Sequence, residues 1–293
     1  MTSLLFKSIF RLLSILPLRW LHGLGALLGR ITYAASEQYA ARTRENLRQS
    51  NLAGNEAEFA DLLDRTNAEA GKGMVELPWV WLRPFQQVCA TVRSCQGWEH
   101  VAAAHARGKG IIFLTPHWGC FEITSLYIAQ HLALTNLYSS PKQAWIEDVM
   151  RRGRERGKAR LATADLSGVR LLFKALKRGE AIGLLPDQVP AKGEGEWVDF
   201  FSRPAYTMTL SGRLAQSSGA AVILVYAERL PKGAGYKLSI EPLELDFSRS
   251  VPLQINTALE RVIAVSPAQY LWSYNRYKVP PGVQPPSTGE QAC

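Results

Sequence analysis

From residue 88 onward the sequence alternates between short β-rich runs and stretches of helical length, and this alternation restricts the fold more than any other feature. The β-rich runs lie at 88–92, 111–115, 132–138, 181–185, 221–226 and 237–240. Helical stretches fall near 98–105, 121–130, 146–156, 169–177, 207–217 and 253–264. Strands separated by helices predict an α/β domain with a mixed, largely parallel sheet flanked by helices. The 293 residues are 47% hydrophobic and 20% charged, an ordinary balance for a chain that folds around a core. Four segments are expected: a membrane anchor at 1–30, a helical region at 31–85, the α/β domain at 86–278 and a Pro-rich, loose tail at 279–293.

The first thirty residues form two apolar helical stretches with Pro17 between them, where proline suits the first turn of a second helix. Ser3, Lys7, Arg11 and Ser14 share one helix face. Neither stretch reaches the eighteen or so apolar residues of a membrane span, and Arg19 interrupts them. An interfacial amphipathic anchor comes first, ahead of a tilted span, a core helix pair or a cleaved signal peptide.

The net charge is +9, concentrated in two blocks. Residues 142–178 carry eleven Lys/Arg against four Asp/Glu, and residues 1–50 carry seven against two. Such blocks suit an anionic membrane surface or an acidic substrate or carrier, and equally a solvated helix face. Nucleic acid is disfavoured because no binding motif accompanies the charge. The four cysteines show neither disulfide nor metal spacing, which fits a reducing compartment.

The chemistry concentrates in GKGIIFLTPHWGCFEITSLYIAQ, residues 108–130. An apolar strand runs through Pro116 into His117, Trp118 and Gly119, and then into a helix bearing Glu122. Sites in open α/β sheets gather at the carboxyl ends of strands, where His117 stands. On one continuous helix, residues five apart point about 140° away from each other. With His117 in the loop and Glu122 in the first turn, the carboxylate can reach back, fix the imidazole tautomer and stabilise its cation. Trp118 and Gly119 then belong to the turn whose free N–H groups face a developing oxyanion. Glu122 also suits a plain first-turn acid complementing the helix dipole. No second ligand accompanies His117 at metal spacing, and no G-x-S-x-G elbow supplies a serine nucleophile. Arg151 and Arg154, one turn apart, suit phosphate or carrier contact, or a solvent-facing helix. Asp187 and Gln188 fall at a strand end, as site floor or as a structural turn.

These residues resemble the late (secondary) acyltransferases of lipid A biosynthesis, within the lysophospholipid acyltransferase-like superfamily. The resemblance spans about residues 42–278. It rests on the ordered signals Arg44-Glu45-Asn46-Leu47, T-P-H-W-G-x-F-E at 115–122, Tyr138 through Pro141 and Arg151-Arg152-Gly153-Arg154. Gly183-Leu184-Leu185-Pro186-Asp187-Gln188, Phe200-Phe201-Ser202-Arg203-Pro204-Ala205 and Gln269-Tyr270-Leu271-Trp272 follow. It implies acyl transfer from acyl carrier protein to a hydroxyl of a phosphorylated lipid A precursor, at the cytoplasmic face of the bacterial inner membrane, with no bound cofactor. His117 is then the general base oriented by Glu122, and Arg203 joins Asp187 and Gln188 on the site floor. Glycerolipid acyltransferases usually carry Asp where this chain has Glu122; a lipid or thioester hydrolase is the rival in which the same base activates water. One departure is Tyr274, where the family often has His, which leaves the roles of Arg276 and Lys278 open.

Overall fold

The computed structural model describes residues 2–141 and 143–286; residues 287–293 of the expected loose tail lie outside the described residues. Four helices come first: α1 (Thr2–Ile15), α2 (Leu18–Ala35), α3 (Glu37–Gln49) and α4 (Glu56–Leu82). Pro17 stands at the N-cap of α2, so the chain breaks where proline removes a donor. Asn55 starts α4 by accepting from Glu58 N at 3.0 Å, and Glu58 reaches back to Gly54 N at 2.8 Å, a reciprocal cap. Gly25 and Gly29 of α2 meet Gly71 of α4 so closely that a Cβ at Gly71 would lie 2.0 Å from Gly25 O.

The remaining elements are α5 (Phe85–Cys89), β1 (Val92–Gln96), α6 (Trp98–Ala106), β2 (Ile111–Leu114), α7 (Phe121–His131) and β3 (Leu134–Tyr138). Then come α8 (Ala144–Arg154), β4 (Ala159–Thr163), α9 (Leu166–Lys177), β5 (Ala181–Leu184), β6 (Gly195–Phe200) and β7 (Arg203–Met208). The chain closes with α10 (Leu210–Ser218), β8 (Ala221–Arg229), β9 (Tyr236–Pro242) and α11 (Val251–Val265). Seven strands form one sheet in the order β1-β9-β8-β2-β5-β3-β4. Its neighbours are parallel except β8 with β9. The expected α/β class with a mostly parallel sheet flanked by helices is therefore observed.

Strands β2 and β5 are buried along their whole length, because helices cover both faces of a parallel sheet. Alternate residues serve opposite cores. Ile112, Leu114, Ile182 and Leu184 pack with Leu172 of α9 and Leu259 of α11. Ile111, Phe113, Ile223 and Val225 pack with Ile123 and Leu126 of α7 and with Val75 and Trp79 of α4.

Three local features differ from the sequence reading or were absent from it. The run at 88–92 is not a strand: α5 follows Pro84 and ends at Cys89, Ala90 and Thr91 turn, and the strand begins at Val92 in register with β9. Strand β4, short and only partly buried, has no clear apolar signature. The β6–β7 hairpin turns through Phe201 and Ser202, both at positive φ, without the Asn-Gly signal that usually marks such a turn.

A buried charge cluster ties α2 and α4 to the end of β8. Arg229 donates twice to Glu76 at 2.8 Å and once to Glu69 at 2.6 Å. His22 Nε2 lies 2.5 Å from Glu76, and the Tyr236 hydroxyl donates to the same carboxylate at 2.9 Å. Burial pushes the Glu76 carboxyl upward, but the charge and hydrogen bonds of Arg229 and His22 outweigh it and hold it down at about 2. A carboxyl depressed in the fold stabilises fully above its usual value of 4.5, and that share is lost as pH falls toward about 2. Glu76→Gln should destabilise the protein by about 3–5 kcal/mol at neutral pH, since Arg229 loses its main counter-charge. Denaturant melts should also show a flatter acid decline for the variant between pH 4.5 and 2.

Candidate active site

Strands β2 and β5 run parallel with Leu114 beside Leu184. Each strand then continues through one residue and a proline, giving Leu114-Thr115-Pro116-His117 and Leu184-Leu185-Pro186-Asp187. Equal offsets from paired residues deliver His117 and Asp187 to the same level at the carboxyl end of the sheet. There the Asp187 carboxylate accepts from the His117 backbone N–H at 2.9 Å and sits 2.8 Å from its Nδ1. An ionised carboxylate only accepts, so Nδ1 carries the proton and Nε2 is left with a lone pair. Gln188 Nε2 lies 3.2 Å from that atom. Asp187 is buried, and burial pushes its carboxyl up. The imidazole, its hydrogen bonds and the nearby Arg276 cation together prevail and hold it below the ordinary carboxylate range.

The turn that carries His117 is pinned from outside. Leu271 N donates to His117 O at 3.1 Å and Gly119 N to Gln269 O at 3.0 Å. Cys120 N donates to Ala227 O at 3.0 Å, and Arg229 Nη2 donates to Gly119 O at 3.0 Å. Gly119 has φ 55°, and a Cβ there would stand 2.0 Å from Ala227 O, so both conformation and space require glycine. The oxyanion role expected of this turn needs correcting. The N–H groups of Trp118, Gly119 and Cys120 already serve backbone carbonyls. The Trp118 side chain is fully buried, donates to Ser266 O and packs edge-on against Tyr226. Trp118 and Gly119 anchor the turn instead.

Glu122 does not make the hydrogen bond to His117 foreseen for it. Its carboxylate is buried, receives the Arg154 guanidinium through both Nε and Nη2, and accepts from Trp81 Nε1 at 3.1 Å. The Arg154 side chain is 21% exposed and lies over the Trp81 ring. Burial lowers its proton affinity, and the charge and hydrogen bonds of Glu122 more than restore it. Arg154 is thus committed to Glu122, whereas Arg151, one turn earlier, is about half exposed and reaches Glu155 and Tyr138 only at 3.4–3.5 Å. The two arginines expected to work together diverge, because Trp81 and Glu122 draw only Arg154 inward. Arg203 leaves the floor altogether: it bonds Glu45 and Gln49 of α3 and covers the Tyr277 ring.

His117, Gln188, Glu122 and Arg154 line a cavity of about 640 Å³, within the range of small-molecule sites. Its deeper wall is apolar, with Phe113, Ile128, Leu134, Met150 and Val225. His117 therefore presents Nε2, covered only by the neutral Gln188 amide, beside a hydrocarbon-lined space, an arrangement that can take a proton from a bound hydroxyl that displaces the amide. Among the described residues, no group of three or more His, Cys, Asp and Glu gathers as a metal would require. Cys120 is buried and its thiol is pushed well up, so it offers no nucleophile.

Sequence reasoning missed Trp81 and Arg229, which act from a distant helix and strand and carry no motif. It named Asp187 without its partner, although the repeated L-x-P offset was a readable signal.

Comparison with known proteins identifies the family. The family described as bacterial lipid A biosynthesis acyltransferase matches residues 2–279. The lipid A biosynthesis lauroyltransferase of Escherichia coli (strain K12) is 27% identical over 272 residues, covering 91% of this chain and 88% of the relative. The palmitoleoyltransferase of the same organism is 25% identical over 272 residues, covering 91% and 87%. A Haemophilus influenzae lipid A biosynthesis acyltransferase is 28% identical over 185 residues, 60% of this chain and 56% of the relative.

Proposed function

The chain belongs to the bacterial lipid A biosynthesis acyltransferase family and is an acyltransferase, and on that premise we propose that it moves a fatty acyl chain from acyl carrier protein to a hydroxyl of a phosphorylated lipid A precursor, with His117 as general base. The observation that carries this reading is the His117–Asp187 pair, whose Nε2 stands at an apolar-walled cavity with only the Gln188 amide against it.

A thioester is already activated, so the reaction needs no cofactor and no covalent enzyme intermediate. The acceptor hydroxyl displaces Gln188 from Nε2 and gives up its proton as its oxygen bonds to the thioester carbonyl carbon. Asp187 balances the imidazolium that forms. The tetrahedral intermediate then expels the carrier thiolate, which recovers the proton from His117. With the turn's N–H groups occupied, the Gln188 carboxamide is the donor nearest the reacting atom and takes the oxyanion role. Glu122 acts by holding Arg154 in the cavity wall, where a cation suits an anionic substrate group. The exposed basic face of α8, with Arg151 and Arg152, suits the acidic carrier protein.

Purified enzyme given acyl carrier protein thioesters and tetra-acylated precursor should yield an acylated lipid identified by mass spectrometry. His117→Ala should lower kcat by about 10²–10⁴-fold, and Asp187→Asn should come close to it. Thioester loss at the same rate without acceptor would instead make the protein a hydrolase.

The same reading puts the protein on the cytoplasmic face of the inner membrane. Trp20, Leu24, Leu27, Leu28 and Ile31 recur at helical spacing on the solvent side of α2, while its other face buries Leu21, His22, Gly25 and Gly29. Ile9, Leu12 and Ile15 of α1 are exposed as well. Among the described residues no helix is long and apolar enough to cross a membrane. An apolar stripe turned outward favours lying in a lipid surface. Leu24→Glu/Leu28→Glu should keep its thermal melt yet lose flotation with anionic phospholipid vesicles; unchanged flotation would move the anchor elsewhere.

A further inference from the structure

Residues Tyr270, Trp272, Tyr274 and Arg276 recur at every second position of a turn-rich segment that backs the Asp187 turn. Burial and the nearby Asp187 charge push the Tyr270 phenol well up. The Tyr274 hydroxyl accepts from Val189 N at 3.0 Å, next to Gln188. Arg276 is 2% exposed, and its partners are all neutral. Nη1 donates to Tyr206 O at 2.9 Å, while Nη2 donates to Thr207 Oγ1 at 2.6 Å and more distantly to Asn256 Oδ1. Its guanidinium stands 5.2 Å from the Phe200 ring centre, and its Nε has no hydrogen-bond partner among the described residues.

A buried guanidinium held only by neutral groups is costly unless an anion balances it. Burial lowers the proton affinity of Arg276, and the carboxylate whose charge offsets this is Asp187, itself buried and held only by the backbone N–H and the imidazole of His117, which must be neutral to act as base. Each buried charge answers the other at second hand, across Tyr270. We propose that Arg276 is a positioning residue: it supplies the counter-charge to Asp187 and thereby keeps His117 neutral and ready to accept a proton. This rests on the reading of His117 as general base.

With Asp187 ionised and Arg276 charged, the site is neutral before the reaction and carries one positive charge once His117 is protonated. Arg276 therefore opposes protonation by bulk solvent and favours return of the proton to the leaving thiolate. The other ionisable groups facing the cavity are Glu122 with Arg154, Tyr138, Asp165, Glu194 and Arg213. Those around Arg276 are Tyr270, Tyr274 and Tyr277.

The test compares pH profiles of kcat/KM for wild type, Arg276→Met and Arg276→Lys. Removing the cation raises the imidazole's proton affinity, so the acid limb of Arg276→Met should move up by about one pH unit. Arg276→Lys keeps the charge and should restore the wild-type limb even if its stability falls. A limb that stays put in Arg276→Met, or that moves equally in Arg276→Lys, overturns the proposal. A second measurement needs no substrate. In thermal melts, Asp187→Asn should relieve much of the Tm loss of Arg276→Met, because neutralising the anion removes the need for the cation. Should Arg276→Met fail to fold, the double variant should fold; additive Tm losses, or a double variant no better than the single, contradict the pairing. A chain with coupled Tm losses but no acyl transfer would sink the functional reading and leave the charge pairing standing.

Discussion

Two parallel strands held in register bring an imidazole and a carboxylate to the same height, and the site is organised around the hydrogen bond between them. Leu114 pairs with Leu184, both strands continue for three residues, and His117 meets Asp187 at 2.8 Å. The bond does two things at once: it puts the proton on Nδ1, and it turns Nε2 toward the cavity. Backbone pairing sets this geometry, so the imidazole is positioned by the same hydrogen bonds that hold the sheet together. The apolar strand residues matter to the proposed chemistry for that reason. A register shift of one residue would exchange the two faces of β5 and carry Asp187 away from the ring.

Around this pair the protein buries more charge than a core of its size needs for stability alone. Glu122 with Arg154, Glu76 with Arg229, and Asp187 near Arg276 are three oppositely charged couples that are largely shielded from water. Buried couples of this kind add little net stability, and each is destabilising if half of it is removed. Their placement suggests what they are for. Arg229 also holds Gly119 O, and through Glu76 and its contact with His22 joins helices α2 and α4 to the turn that carries His117. Glu122 draws Arg154 to the cavity wall. The outward apolar face of α2 and the inward charge cluster of the same helix connect the proposed lipid surface to the site across one helix diameter.

Much of this was legible in the sequence, for physical reasons that differ from residue to residue. The alternation of β-rich and helical segments gave the fold class, because period-2 and period-3.6 patterns report burial directly. Pro17 marked the start of a helix through its backbone chemistry. His117 was conspicuous as a polar residue after a fully apolar strand. Its partner was read incorrectly, since spacing along the chain favoured Glu122, whereas proximity across the sheet selects Asp187. Arg154 was paired with Arg151 from their spacing and Arg203 with the site floor from the resemblance, but a guanidinium's position depends on which carboxylate lies within reach, and Glu122 and Glu45 come from elements far away in sequence. The β6–β7 hairpin escaped notice because Phe201 and Ser202 adopt positive φ without the residues that usually announce it.

The claim that Asp187 rather than Glu122 orients the base is open to direct observation. In protein labelled with 15N at the histidine ring, His117 should be found as the Nδ1–H tautomer near neutral pH, with that proton shifted strongly downfield by the carboxylate. Asp187→Asn should abolish the downfield proton and mix the tautomers, whereas Glu122→Gln should leave both unchanged. A downfield proton that survives in Asp187→Asn and disappears in Glu122→Gln would contradict the account.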